Sequence, residues 1–160
     1  MERGGRALAG TGDELDQQEQ AGELGRVHRA DGSVAWTART GTQMINSTPV
    51  TTVRDGEQLI VIGSTDGSLY FLDPATGDEV NKVTLEGGIW FSRPLVLDQL
   101  DIDGQPTPGH QELWVGTSGD KRGFLNRVDV DTGQVKTFTN NAGVGTNPAL
   151  TANGLIVAGN

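Results

Sequence analysis

GSTDGSLYFLDPATGDEV, residues 63–80, is the stretch that decides the fold. Asp66-Gly67 is a two-residue hairpin signal set between apolar runs. SLYFLD, residues 68–73, has the aromatic and aliphatic make-up of a strand. In DPATG, Asp73 can accept backbone N–H bonds two residues on, Pro74 presets φ, and Gly77 supplies the positive-φ position that closes the turn with a bulge. The stretch therefore reads as strand, tight turn, strand, turn and strand, with no helical period. Turn formation accounts for these aspartates better than catalysis does. The glycines are not a phosphate cradle, because no GxGxxG or GxxxxGK[ST] follows a strand and opens a helix.

Working outward, the same features recur. Turns ending in glycine appear as RADGSVAW, DPATGDEV and DVDTGQVK, placing Gly32, Gly77 and Gly133 45 and 56 residues apart. A polar lead-in and a proline precede an apolar run in NSTPVTT, FSRPLVL and TNPALTA, with Pro49, Pro94 and Pro148 at intervals of 45 and 54. Apolar runs closing on glycine appear as LIVIGST, ELWVGTS and LIVAGN, at Gly63, Gly116 and Gly159. Extra residues intrude mainly at Asp98–Gln111. Each unit predicts four short strands: one after the proline, one ending on the glycine, one before the glycine turn (SLYFLD, FLNRVDV) and one after it (EVNKVTL, QVKTFTN). Four strands with a period near 45 are the mark of propeller blades rather than of a helical solenoid. The expected fold class is all-β, with four-stranded antiparallel blades of the β-propeller type over residues 23–160. Residues 1–22, rich in Gly, Glu and Gln and without a periodic apolar face, are expected to be disordered or loosely attached.

On these residues the chain resembles the PQQ-like (quinoprotein-type) β-propeller repeat family, whose repeat runs small-x-x-DG-x-LYALD-x-x-TG-x-x-x-W. Gly63–Val80 matches most of that block, and GRVHRADGSVAW (25–36) keeps the tryptophan four residues after the glycine, as Trp36. Asn81 and Thr137 stand at that offset in the other units, so the docking tryptophan is lost there. The family includes quinone-dependent dehydrogenases, an outer-membrane β-barrel assembly lipoprotein and extracellular sensor domains. Intact members usually lie in the periplasm or outside the cell, although residues 1–22 hold no apolar segment of the kind a signal peptide needs.

The chain begins in the third strand of one unit, contains two full units, and ends after the second strand of another. That amounts to three blades, whereas closed propellers typically have 4–8. The first expectation is a piece of a longer six- to eight-bladed protein. The second is a homodimer in which each copy's leading strand pair completes the other's trailing pair.

Binding is expected at the lead-ins before the prolines: Met44–Thr48, Ile89–Arg93 and Gly143–Asn147. In propellers of this type such segments ring one mouth of the central channel. Ile45, Asn46, Trp90, Phe91, Arg93 and Asn147 are the candidate residues for a protein or small-ligand partner, since aromatics and Arg anchor binding surfaces. The alternative is that Trp90 and Phe91 pack between blades. The segment LDQLDIDGQPTPGHQELWVG supplies Asp98, Asp101, Asp103 and Glu112 around a glycine turn, the oxygen ligands calcium takes. It resembles the DxDxDG loop of FG-GAP repeats with the spacing one residue off, and a solvated acidic loop is the other reading. His110 in this loop has no evident partner. Asn46-Ser47-Thr48 is a glycosylation sequon only if the chain enters a secretory pathway.

Composition bounds the functions. The 160 residues include no cysteine, which excludes a disulfide scaffold, a thiolate metal site and a cysteine nucleophile. With 12 Lys+Arg against 21 Asp+Glu and a net charge of −9, a nucleic-acid surface is not expected, and no apolar run approaches a membrane span. There is no GxSxG, HExxH or His cluster. The reading favoured is a non-catalytic propeller segment serving as a binding scaffold, with no cofactor. The alternatives are part of a PQQ-dependent dehydrogenase, disfavoured because it would need a whole propeller, calcium and an adjacent carboxylate base, and a calcium-stabilised adhesion or sensor module.

Overall fold

The computed structural model describes residues 22–41, 43–119, 122–140 and 146–159. All regular structure among them is strand. The first blade contributes only an outer pair, β1 (Gly22–Val27) and β2 (Val34–Thr40). The second is complete, with β3 (Val50–Arg54), β4 (Glu57–Gly63), β5 (Ser68–Leu72) and β6 (Glu79–Thr84) side by side in chain order. The third is complete as β7 (Leu95–Leu100), β8 (Pro106–Ser118), β9 (Gly123–Asp129) and β10 (Val135–Asn140). The fourth contributes only an inner pair, β11 (Ala149–Leu150) and β12 (Ile156–Val157). Every neighbouring pair is antiparallel. The molecule is thus an all-β, propeller-type stack of four-stranded blades. Residues 1–21 lie outside the described residues. Gly22 does not belong with them, because it opens β1 opposite Thr40.

The turns form as their residues dictate. In all three glycine turns the glycine N–H donates to the carbonyl four residues back: Gly32 to His28, Gly77 to Asp73 and Gly133 to Asp129. Asp73 Oδ1 also accepts from the N–H groups of Ala75 and Thr76 at 2.6 and 3.2 Å. The first of these turns begins at His28, which ends β1 at Val27. The acidic insertion is not a loop. It lengthens the β7–β8 hairpin, with Leu100 opposite Pro106 beyond a bulge, and closes in a tight turn where Asp101 N–H donates to the Gln105 carbonyl.

The blades stack face to face. β5 is buried at all five positions, because the second blade has a neighbour on each side. Since strand side chains alternate between faces, Leu69 and Phe71 join Leu113, Val115 and Val128 of the third blade. Tyr70 and Leu72 join Leu24 and Ala38 of the first blade. A half-buried amide reinforces the junction of the second and third blades. Gln111 Oε1 accepts from Thr52 Oγ1 at 2.9 Å and from Val53 N–H at 2.8 Å.

Each blade also grips the glycine turn of the next. Trp36 donates from Nε1 to the Pro74 carbonyl at 3.1 Å, and its ring lies over Gly77, where a Cβ would come within 2.6 Å of it. Gly77 has φ +81°, so the turn needs glycine for its backbone as well as for the close approach. At the next junction the smaller Val83 meets the turn, 3.7 Å from the position of a Cβ on Gly133. Thr137, at the tryptophan offset of the third blade, turns back toward the second. Its Oγ1 donates to the buried Asn126, which donates to Thr117, which donates to the Glu86 carbonyl. The reason is phase. The β1–β2 and β5–β6 hairpins carry a bulge before the turn, and β9–β10 does not, so the side chains of β10 fall on the opposite faces.

The Trp36 contact predicts a coupled pair. Trp36→Ala should destabilise by about 2 kcal/mol, less than the roughly 3–5 of a fully buried aromatic. Gly77→Ala should cost about as much through backbone strain and displacement of the ring. Chemical denaturation of the double variant should show a loss smaller than the sum of the two, by about 1 kcal/mol.

Candidate binding surface at the propeller mouth

Proline has no N–H to donate and holds the residue before it extended. The lead-ins ending at Pro49, Pro94 and Pro148 therefore cannot continue a strand ladder, and their polar groups bond sideways. Ser47, Ser92 and Thr146 each stand two residues before a proline. Ser47 Oγ donates to the Ser92 carbonyl at 2.8 Å, and Ser92 Oγ donates to the Thr146 carbonyl at 3.3 Å. The same hydroxyls tie down their own blades. Ser92 Oγ accepts from Gly116 N–H at 3.0 Å, and Thr146 Oγ1 accepts from Gly159 N–H at 2.7 Å. The three lead-ins are linked into one rim. Asn147 adds to it, accepting Arg93 N–H on Oδ1 at 2.6 Å.

Phe91 sits on this rim between two fixed neighbours. Ile89 is wholly buried in the core between the second and third blades, against Gly63. Ser92 is 0% exposed. Between them Trp90 is 39% exposed and Phe91 67%. Phe91 also has φ +59°, a left-handed backbone that costs a bulky side chain about 1–3 kcal/mol. The residue that packs between the blades is Ile89, and the two aromatics beside it reach solvent. Arg93 is exposed and borders the grooves along β3 and β7. Ile45 is different: it packs against Ile62, Tyr70 and Leu72. Asn46 is half-buried, and Asn147 spends its carbonyl oxygen on the rim. Gly143–Gly145 lie outside the described residues.

The four acids expected to hold calcium are not brought to one point. Among the described residues no three His, Asp or Glu side chains are grouped as a metal would require. Leu97 stands opposite Glu112, which puts Asp98 and Glu112 on opposite faces of the hairpin. Glu112 is committed to Arg127 and to Trp114 Nε1. Asp101 Oδ1 accepts from the N–H groups of Asp103 and Gln105 at 2.9 and 2.8 Å, so it builds the turn. Nor is His110 alone: its Nδ1 lies 2.6 Å from Asp131 Oδ2.

Two clusters had no signal in sequence order. Trp114 stacks on Phe138 on the third blade's outward face, with ring centroids 5.6 Å apart. The missing bulge puts Phe138 there. At the junction of the first two blades Tyr70 donates to Asp66 Oδ2 at 2.6 Å and accepts from Lys82 Nζ at 3.0 Å. Partial burial opposes the charged form of Asp66, but hydrogen bonds from Tyr70 and Ser68, with Lys82 nearby, outweigh it and hold the carboxyl below its ordinary value.

No protein-family model matches the chain, and no curated protein sequence does. Among solved structures it is similar to the crystal structure of BamB from Moraxella catarrhalis, at 15% sequence identity and a TM-score of 0.41. That likeness covers 87% of this chain and 55% of the other, so the chain spans little more than half of that structure's length. Among the described residues no helix is long and apolar enough to cross a membrane.

Asp66 should show itself in acid. A lowered folded-state value means its contribution is present above the unfolded carboxyl value of about 4 and is lost as pH falls through the lower folded value. Asp66→Asn should therefore unfold at lower temperature than the parent at neutral pH. Thermal melts across an acid series should show the two converging below about pH 4.

Proposed function

We propose that the chain is a non-catalytic scaffold of the β-propeller type whose rim at Ile89–Arg93 binds a protein or peptide partner. The observation that supports this most is Phe91. An exposed aromatic held in a strained backbone does nothing for the fold that glycine would not do better, and such strain concentrates at functional positions. Asn46 and Gly145 occupy the equivalent place in the other lead-ins. Trp90 adds a second ring and Arg93 a cation, in a chain whose net charge is −9. The surface suits a segment with an apolar side chain for the rings and a carboxylate or backbone carbonyl for the guanidinium. A rigid sheet framework presenting such a loop is a common way to build a binding site.

Phe91→Gly separates fold from function. It relieves the backbone strain, so its melting temperature should equal or exceed the parent's, by an amount reflecting about 1 kcal/mol. Phage displaying random linear peptides, selected on the immobilised chain, should yield apolar–acidic sequences whose binding falls at least tenfold on Phe91→Gly and on Arg93→Ala. Selected peptides indifferent to both substitutions would count against the rim as the site. Dye-linked alcohol oxidation after reconstitution with PQQ and calcium would count against a scaffold altogether.

A further inference from the structure

We infer that the tip of the β7–β8 hairpin is a docking surface separate from the rim, whose apolar apex enters a pocket of a partner protein edged by Lys or Arg. Strands within a blade are antiparallel and in chain order, so the rim before β7 and the turn after it lie at opposite ends of the blade. The six residues of β7 set them about 20 Å apart.

The tip is made of residues that the blade does not need. Gly116 follows Pro94 by 22 residues, whereas Gly63 follows Pro49 by 14 and Gly159 follows Pro148 by 11. The second blade makes the same connection with Asp55-Gly56 alone, between Arg54 and its partner Glu57.

The other turns at this end show what the position asks for. Their tips carry Asp55-Gly56, Ala75-Thr76, Asp131-Thr132 and Ala152-Asn153, all small or polar, as turn chemistry favours. The β7–β8 turn carries Ile102 instead, and Ile102 is wholly exposed. Every other described isoleucine is buried or half-buried. Leu100, two residues earlier, is exposed as well and pairs across the hairpin with exposed Pro106. The apolar side chains gather on one hairpin, unlike the single ones scattered over any surface.

The apex is held in shape. Asp101 N–H donates to the Gln105 carbonyl at 2.8 Å, and Gly104 N–H donates to the Asp101 carbonyl at 3.1 Å. With the two bonds that Asp101 Oδ1 accepts, the backbone is fixed on both sides of Ile102, and binding has little left to order. Strand addition is not the mode of contact. The Gln111 carbonyl accepts from Val130 N–H, and nearer the tip than Gln111 no strand pairs with the outer edge of β8 among the described residues. Pro106 and Pro108 stand on that stretch and have no N–H to offer a further strand. The edge is closed, and the apex alone is left apolar.

Charge sets the partner. Asp98, Asp101 and Asp103 lie on the hairpin, and no Lys or Arg occurs between Arg93 and Lys121. An apolar knob among carboxylates suits a pocket edged by cations and is repelled by an acidic one. This is the reverse of the rim, where Arg93 is the cation.

Phage displaying a folded three-helix domain randomised on one face, selected on the immobilised chain, should yield binders with Lys or Arg around apolar positions. Their affinity should fall at least tenfold on Ile102→Ser and severalfold on Asp103→Asn or on raising the salt. It should not change on Phe91→Gly, which removes the aromatic of the rim. Ile102→Ser should keep the parent's melting temperature, since the side chain is wholly exposed. A panel in which no cationic binder depends on Ile102, or a lowered melting temperature for Ile102→Ser, would overturn this docking surface, and either result would leave the rim standing.

Discussion

The structure depends on what happens to the backbone just before each proline. A chain segment that cannot extend a ladder must still satisfy its polar groups. Here the solution is lateral: the hydroxyl of Ser47 reaches the carbonyl of Ser92, and the hydroxyl of Ser92 reaches the carbonyl of Thr146. The bond that completes one lead-in is also the bond that joins two blades. Ser92 does more than its counterparts, because its oxygen also accepts the N–H of Gly116, and it is wholly buried. Hydrogen bonds of this kind contribute only about 1 kcal/mol each, but a buried group deprived of its partner costs more, which fixes the spacing of the rim.

Blade stacking proceeds outward from that rim in layers of different chemistry. Further along the inner strands the Gln111 amide reads both a side chain and a backbone N–H of the neighbouring blade. Aliphatic and aromatic side chains fill the middle, on both faces of the second blade. The outermost contact is a side chain pressed on a glycine turn: Trp36 on Gly77 at one junction, Val83 on Gly133 at the next. The second junction carries the Thr137–Asn126–Thr117 chain of polar bonds, and the first carries the Lys82–Tyr70–Asp66 chain.

Repeat spacing, turn chemistry and the order of strands could all be read from the chain, because each is local: a glycine four residues into a turn or a proline before a strand acts within its own few residues. What could not be read depends on phase. Whether Thr137 or Phe138 faces the next blade hangs on one bulge present in two hairpins and absent from a third, and a single residue of slip exchanges the faces. The geometry of the acidic segment turns on the same point. Asp98, Asp101, Asp103 and Glu112 look like a cluster along the chain, yet continuing the hairpin through them sends Asp98 and Glu112 to opposite sides. Tyr70 and Lys82 are opposite each other across β5 and β6, and Asp66 sits on the turn before them. Only the strand register brings the three together.

The rim and the exposed aromatic are two aspects of one arrangement. A left-handed φ at a residue as bulky as phenylalanine persists only where both flanks are fixed more strongly than the strain opposes. At Phe91 the flanks are Ile89, locked in the interblade core, and Ser92, bonded to blades on either side of its own lead-in. The same bonds that hold the blades in register thus hold a ring in water at a position where the fold has no use for it. In a looser lead-in the backbone would relax and the ring would fold back onto the apolar surface beside it. The stiffness of the blade junctions is therefore what makes a presented aromatic sustainable at this mouth.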